Sequence, residues 1–388
     1  MYTKNIKLLL CSAFTLSAVA GLVYPYMAEY IVLLGGDAKT VGLVFAIRNF
    51  INALLLIPGG YLADTIGRKK LVVFFTFLFG LANLAYFASL SWQIVAFFAI
   101  IEGITYLYFP AFNAILMDST PKERLNEVFL IAIIMDYTPY AIMPIIGGFL
   151  RDTYGIYGIK SGFFLIFLLS LMIGFFRLEL DETLPKALEF NFKQMLKSYL
   201  DIIPIFKKLS KTIKNLIILR SIAIILGYSM FYNFAILYAT RVVGLSFTEW
   251  GILYAISSIS FTLSIFISKL MSKIPMKKSY VISLALQAIA PLMFLEGYYA
   301  LMLFGMILSG LGGALAYSIE RSIVANFTIK ELRGRAEALM ELSFSIGGFL
   351  GSFLGGIIYS ISPKFLLGIS SILMFLGSIA SLFMIKDF

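Results

Sequence analysis

The chain repeats one unit twelve times: an apolar run of about 20 residues, long enough to cross a bilayer, closed by a polar loop. The runs fall at roughly 8–34, 41–63, 71–89, 93–117, 127–149 and 161–178. After a polar gap they resume at 216–240, 248–272, 280–296, 299–319, 336–360 and 365–385. Of 388 residues, 60% are hydrophobic and 13% charged. A soluble fold could not hide that much apolar surface, so the class is an all-α polytopic membrane protein. Lys4, Lys7, an apolar stretch and Ala18-Val19-Ala20 imitate a cleaved leader. The apolar character continues to Leu34, so this segment is expected to be the first spanning helix.

An even number of spans puts both ends on one side, and lysine and arginine choose which. One set of loops carries Lys4, Lys7, Arg68, Lys69, Lys70, Lys122, Arg124, the lysine-rich central segment, Lys269, Lys273, Lys277, Lys278, Arg321, Lys330, Arg333, Arg335 and Lys386. The other set carries Lys39, Arg151, Lys160, Arg241 and Lys364. The basic set is expected to face the cytoplasm, with the protein multi-pass in the cell membrane. That bias accounts for the net charge of +10 without a nucleic-acid partner. Histidine is absent and Cys11 is the single cysteine. Disulfide frameworks, Cys/His zinc sites and histidine catalysis are therefore excluded. No metal site, catalytic residue or cofactor is expected, and no G-x-x-x-x-G-K-[ST] loop for ATP occurs.

The two halves align at an offset of 209 residues: Gly42 on Gly251, Gly103 on Gly312, Arg124 on Arg333, Gly147 on Gly356, and Arg68-Lys69 on Lys277-Lys278. This pattern reads as a duplication of six helices. Between the second and third runs stands Gly60-Tyr61-Leu62-Ala63-Asp64-Thr65-Ile66-Gly67-Arg68-Lys69. Its glycines allow a tight turn, and its acid sits one helical turn before an arginine. In the second copy Lys269 and Lys273 replace Gly60 and Asp64.

The stretch fits G-x-x-x-D-x-x-G-R-K, and the chain resembles the major facilitator superfamily of transporters, which carry that pattern in this loop. Asp118-Ser119-Thr120-Pro121 with Arg124 resembles the family's loop between helices four and five. Pro144-Ile145-Ile146-Gly147-Gly148 resembles the end of the G-P-x-x-G-G element of antiporters, with Met143 in place of the first glycine. Ala99-Ile100-Ile101-Glu102-Gly103 departs from the family's R-x-x-Q-G: the arginine is missing and an acid replaces the glutamine. The resemblance, nearest to the drug:proton antiporter branch, implies two six-helix bundles at 1–178 and 215–388, related by a pseudo-two-fold axis. A cytoplasmic linker, 179–214, would join them; apolar residues recur there at helical spacing over 190–206, which suits a helix lying on the membrane surface, a plain linker being the alternative. It also implies a cytoplasmic gate of Gly60, Asp64, Gly67, Arg68, Lys69, Asp118, Arg124 and Arg333. The gate cluster of Asp64, Arg68 and Asp118 is expected to close only when the cavity opens outward.

An ionisable side chain in the hydrocarbon needs a partner, a cavity or a proton. Glu102 and Asp136 both fall about 15 Å deep at 1.5 Å per residue, on neighbouring helices. They are expected to act on one another and to carry coupling protons; the plainer alternative is a neutral core acid or a pair with Arg48. Arg48 is expected to pair with Glu29 near the outer face. Glu320 and Arg321 are expected at the inner end of helix ten, leaving no midplane acid in the second half. Tyr24, Arg48, Asn49, Tyr106, Asn113, Tyr137, Tyr228, Tyr232 and Asn233 are candidates for the cavity wall. Glycines 347, 348, 351, 355 and 356 suit close helix packing. The expected function is a secondary active transporter working by alternating access. It would be a proton-coupled exporter of amphipathic or cationic small molecules, acting as a monomer in the lipid bilayer and powered by the proton gradient. A proton symporter or facilitator for a sugar, organic acid or peptide is the alternative.

Overall fold

The computed structural model describes residues 2–184, 189–200, 202–271, 274–329 and 332–386, with Asn126 and 265–271 described by backbone alone. Lys273 and Lys330 lie outside the described residues, and the side chain of Lys269 is not described. Six helices form the first half: α1 (Lys4–Leu33), α2 (Ala38–Ile66), α3 (Arg68–Ala88), α4 (Trp92–Asp118), α5 (Glu127–Tyr154) and α6 (Ile156–Arg177). The second half holds α7 (Lys211–Val243), α8 (Phe247–Met271), α9 (Met276–Leu295), α10 (Tyr299–Phe327), α11 (Arg333–Ile361) and α12 (Pro363–Met384). Among the described residues, eleven of these are long and apolar enough to span a membrane; α8, 25 residues long, stands in the remaining place.

Local chemistry sets where the helices start and bend. The Thr3 hydroxyl accepts from the amide of Ile6 at the start of α1, and the Asp37 carboxylate from that of Thr40 at the start of α2. Pro25 and Pro139 lack an N–H, and 3-10 turns at Tyr24–Tyr26 and Thr138–Ala141 interrupt α1 and α5 there. In α7, π-turns occupy Arg220–Ile224 and Tyr238–Val243. Helices also outrun their apolar runs. Helix α10 continues through Glu320 and Arg321 to Phe327, and α7 begins at Lys211, nine residues before Arg220. Between the halves lie two short helices, Phe192–Leu200 and Ile202–Lys208. Tyr61 accepts from the Asn191 amide (2.9 Å) and Tyr199 donates to the Leu54 carbonyl (2.6 Å), tying this segment to α2.

The halves meet along two equivalent seams, α2 with α11 and α5 with α8. Two glycines related by the 209-residue offset make both possible. A Cβ at Gly42 would lie 2.5 Å from the Ser352 carbonyl oxygen, and one at Gly251 would strike the Pro144 carbonyl.

The apolar core is divided in an informative way. One cluster joins residues of both halves, including Tyr26, Tyr30, Val44, Phe231, Phe234 and Trp250. A second belongs to the first half alone, around Leu9, Val72 and Ile115, and a third to the second half alone, around Ile213, Tyr280 and Val324. The shared core lies toward the face opposite the basic loops, and each private core lies toward the basic face. The molecule is thus zipped at one end.

Polar contacts complete the closure of the opposite face. Arg241 reaches Glu29 across the halves (2.9 Å), and Trp250 donates to the Pro25 carbonyl (3.0 Å). Asp152 accepts from the Phe247 amide (3.0 Å), the Thr248 amide (2.8 Å) and the Thr248 hydroxyl (2.6 Å). A carboxylate from α5 therefore sits on the positive end of α8.

Candidate transport cavity

Between the halves lies a cavity of about 350 Å³, walled by α5 and by α7 to α11. Aromatic residues dominate it. Tyr228 stacks on Tyr232 with centroids 4.5 Å apart, and Tyr137 stacks on Phe261 at 4.2 Å. Tyr254 meets both Tyr140 and Tyr232 at 6.1 Å. Hydroxyls lock parts of the wall: Tyr232 bonds Ser257 (2.9 Å), and Ser258 donates to the Tyr137 carbonyl (2.9 Å). Asp136 opens into this space and accepts from the Ser17 hydroxyl. It is accessible through the cavity although it lies nine residues into α5.

Of the residues expected in the wall, Tyr137, Tyr228 and Tyr232 are there. Asn49 and Asn233 instead converge on the Ser352 hydroxyl, at 3.3 and 2.8 Å, tying α2 and α7 to α11. Asn113 is half-buried on α4 and does not line the cavity. Tyr24, Arg48 and Tyr106 gather around Glu102.

The Glu102 cluster corrects two expectations. Arg48 pairs with Glu102 (3.4 Å), the alternative given for that acid, and not with Glu29; Tyr86 donates to Glu102 (2.7 Å). Depth is the reason. Arg48 and Glu102 each lie ten residues from the opposite-face end of their helices, about 15 Å in at 1.5 Å per residue. Glu29 is four residues from its helix end, about 6 Å in, and meets Arg151 (3.1 Å) and Arg241 instead. Nor do Glu102 and Asp136 share a site: one is 2% exposed and ion-paired, the other rests on a serine and faces the cavity.

The second half also holds a buried acid, Glu320, near the Phe327 end of α10, where the inner end was expected, and the structure adds its burial and its partner. Glu320 and Arg220 are each 7% exposed by side chain, with Nε and Oε2 3.1 Å apart, and both line the cavity. Tyr280 donates to Glu320 (2.9 Å), and Arg220 donates to the Met340 carbonyl (2.8 Å). Each half thus buries an acid on its fourth helix, with an arginine and a tyrosine beside it. The signal for this second cluster lay in Ser318-Ile319-Glu320-Arg321-Ser322, where the helix runs on past the end of the apolar stretch. A further buried cation, Arg177, is 1% exposed and donates to Ser12 (3.0 Å) and Thr76 (2.6 Å). As the last residue of α6 it also faces that helix's negative end.

At the basic face Arg68 bonds Asp118 and lies 3.7 Å from Asp64. The cluster is assembled while the opposite face is closed, so its formation does not wait for an outward-opening cavity. The start of the linker joins it: Thr183 accepts from Arg68 (3.1 Å), and Glu182 accepts from the Lys69 amide (3.0 Å). Gly67 turns the chain with φ +104, and Gly60 has open space beside it. Arg124 pairs with Glu127 (2.8 Å). Arg333 donates to the Ala325 carbonyl (2.7 Å) near the end of α10. Neither takes part in the Arg68 contacts described here.

A family model for the Major Facilitator Superfamily matches residues 8–295 and 221–387. An MFS-type transporter of Methanocaldococcus jannaschii is 32% identical over 186 residues; the match spans 45% of this chain and 46% of that protein, less than half of either. A Na(+), Li(+), K(+)/H(+) antiporter of Planococcus maritimus is 24% identical over 89% of this chain and 87% of its own. The quinolone resistance protein NorA of Staphylococcus aureus is 20% identical over 92% and 90%. The crystal structure of a point mutant of the nucleoside transporter NupG superposes with a TM-score of 0.81 at 16% identity, covering 99% of this chain and 100% of that one.

Proposed function

Since this chain belongs to the Major Facilitator Superfamily, we propose that it exports aromatic organic cations in exchange for protons by alternating access. The observation that carries this reading is the tyrosine-walled cavity with the Asp136 carboxylate open to it. Aromatic faces attract a cation without demanding one geometry, and a carboxylate in a low-dielectric wall holds either a cation or a proton. Loading the cation from the basic face displaces the proton there. Reopening at the opposite face reverses the exchange. The excess of lysine and arginine on one face supports a cytoplasmic position for it; with that orientation the proton moves in and the cation moves out across the cell membrane. The antiporter and resistance-protein relatives support exchange and efflux. Glu102, paired with Arg48, braces the first half in this state.

The test is proton release on binding. Tetraphenylphosphonium, an aromatic cation with no titratable proton, is added to the purified chain in weakly buffered detergent. Wild type is expected to release protons, and Asp136→Asn to bind without release. Equal release from Asp136→Asn would move the exchange site elsewhere, and proton uptake on binding would favour symport.

A further inference from the structure

We propose that Arg220 receives an anionic group, so that the cavity takes aromatic zwitterions: molecules with a cationic ring system at one end and a carboxylate at the other. The inference rests on the cation reading above for the ring end and adds a second subsite at the other.

Arg220 and Glu320 line the same cavity as Asp136 and the tyrosines. Their pairing is loose. Arg220 Nε is 3.1 Å from the carboxylate yet has no aligned hydrogen bond. The hydrogen bond described for this guanidinium runs from Nη1 to the Met340 carbonyl, while an arginine offers five N–H donors in a planar fork suited to a carboxylate. Its backbone starts the π-turn Arg220–Ile224, a distortion that recurs at functional sites. Glu320 has a second support in Tyr280, so it keeps its place if Arg220 turns to a ligand.

Replacing Glu320 at Arg220 by a ligand carboxylate leaves Glu320 as a buried anion without its cation, which is costly. The groups around it sharpen this. Tyr280 of α9 offers a neutral hydroxyl, α8 presents Tyr254 and Ser257 to the cavity, and α11 brings Glu337 and Glu341. On its own helix Arg321 is already held by Glu337 and Glu341, with Tyr317 beside it. Glu320 therefore takes a proton from solvent hydronium as the ligand binds. One O–H bond forms on the Glu320 carboxyl as one breaks in hydronium, which becomes water, and the ion pair passes from Glu320 to the ligand.

Two dyes with the same ring system isolate the carboxylate: rhodamine 110, a free acid, and rhodamine 123, its methyl ester. Binding to the purified full chain is followed by fluorescence anisotropy, and proton exchange by a pH indicator. Wild type is expected to hold the acid about tenfold more tightly than the ester, as a charge-assisted hydrogen-bond pair implies. It should also release fewer protons with the acid than with the ester. Arg220→Gln should bring the acid-to-ester ratio to about one. Glu320→Gln, which frees Arg220 from its internal competitor, should raise the ratio and restore proton release with the acid. If the ester binds but both variants keep the wild-type ratio, Arg220 is a structural brace and the inference is wrong. The same holds if wild type itself shows no preference. If wild type binds neither dye, the cation reading falls and takes this one with it. Should Arg220→Gln bind neither dye, Glu320→Gln decides, and an unchanged ratio there overturns the proposal.

Discussion

Replacing Asp152 by alanine should tilt the molecule away from the state closed at the opposite face. The carboxylate makes three hydrogen bonds to Phe247 and Thr248 of the other half. If the chain works by the proposed alternating access, all three are lost when that face opens, and the contact stabilises one state of the cycle. A carboxylate on the free amides at a helix start contributes about 0.5–2 kcal/mol. At 1.36 kcal/mol per factor of ten, its loss should shift the closed-to-open ratio roughly 2- to 30-fold. Pulsed electron resonance between spin labels at Tyr154→Cys and Ile361→Cys reads the ratio as a distance distribution. These residues are 60% and 74% exposed, one on each half, and the exposed Cys11 is first changed to serine. Asp37→Ala is the control. It removes a carboxylate that accepts from Thr40 (2.8 Å) in its own helix, and should leave the distances alone. If Asp152→Ala leaves the distribution unchanged, or Asp37→Ala shifts it equally, Asp152 is not part of the closure.

Gly251→Ala and Gly42→Ala should also disfavour that closure, because the added methyl meets backbone of the other half; Gly368→Ala, with open space beside it, should not move the same labels. The Asp37 cap carries a pH signature. Donation from the Thr40 amide, then from its hydroxyl, holds the carboxyl below its ordinary value of 3.8. A depressed folded-state value means the stabilisation is fully present above the ordinary value and is lost as pH falls through the lower one. The melting-temperature difference between wild type and Asp37→Asn in detergent should therefore stay constant from neutral pH down to about 5 and shrink only below the ordinary value. Shrinkage near neutral pH would contradict the assignment.

Hydropathy located the spans well because bilayer thickness sets a length that composition must match. It located their ends less well, because a helix pays nothing for continuing into water or into a cavity with polar residues. That is why Glu320 reads as terminal in the sequence, whereas the structure buries it against Arg220. The 209-residue offset showed the duplication but not the seams: the paired Gly42 and Gly251 were legible as a repeat, and only the structure shows that each lies where two helix backbones touch. Pairing was the hard part. Glu29 was matched to Arg48 by rough height, whereas depth counted from the true helix ends gives Arg48 to Glu102. The Asp152 contact with α8 joins residues 95 apart in the chain, and no local pattern marks it. Tyrosines in the wall were legible as a type: three of the five tyrosine candidates reach it and none of the four others does, since orientation about a helix axis needs the neighbouring helices to be placed.

The central claim is exchange of a cation for a proton through Asp136, and proteoliposome flux tests it most directly. The purified chain is reconstituted, a pH gradient is imposed, and tetraphenylphosphonium movement is followed with an ion-selective electrode while potassium and valinomycin clamp the membrane potential at zero. The account expects the cation to move uphill against the proton flow in wild type, and only downhill exchange in Asp136→Asn. Uphill movement that survives in Asp136→Asn, or movement in the same direction as the protons, would contradict it.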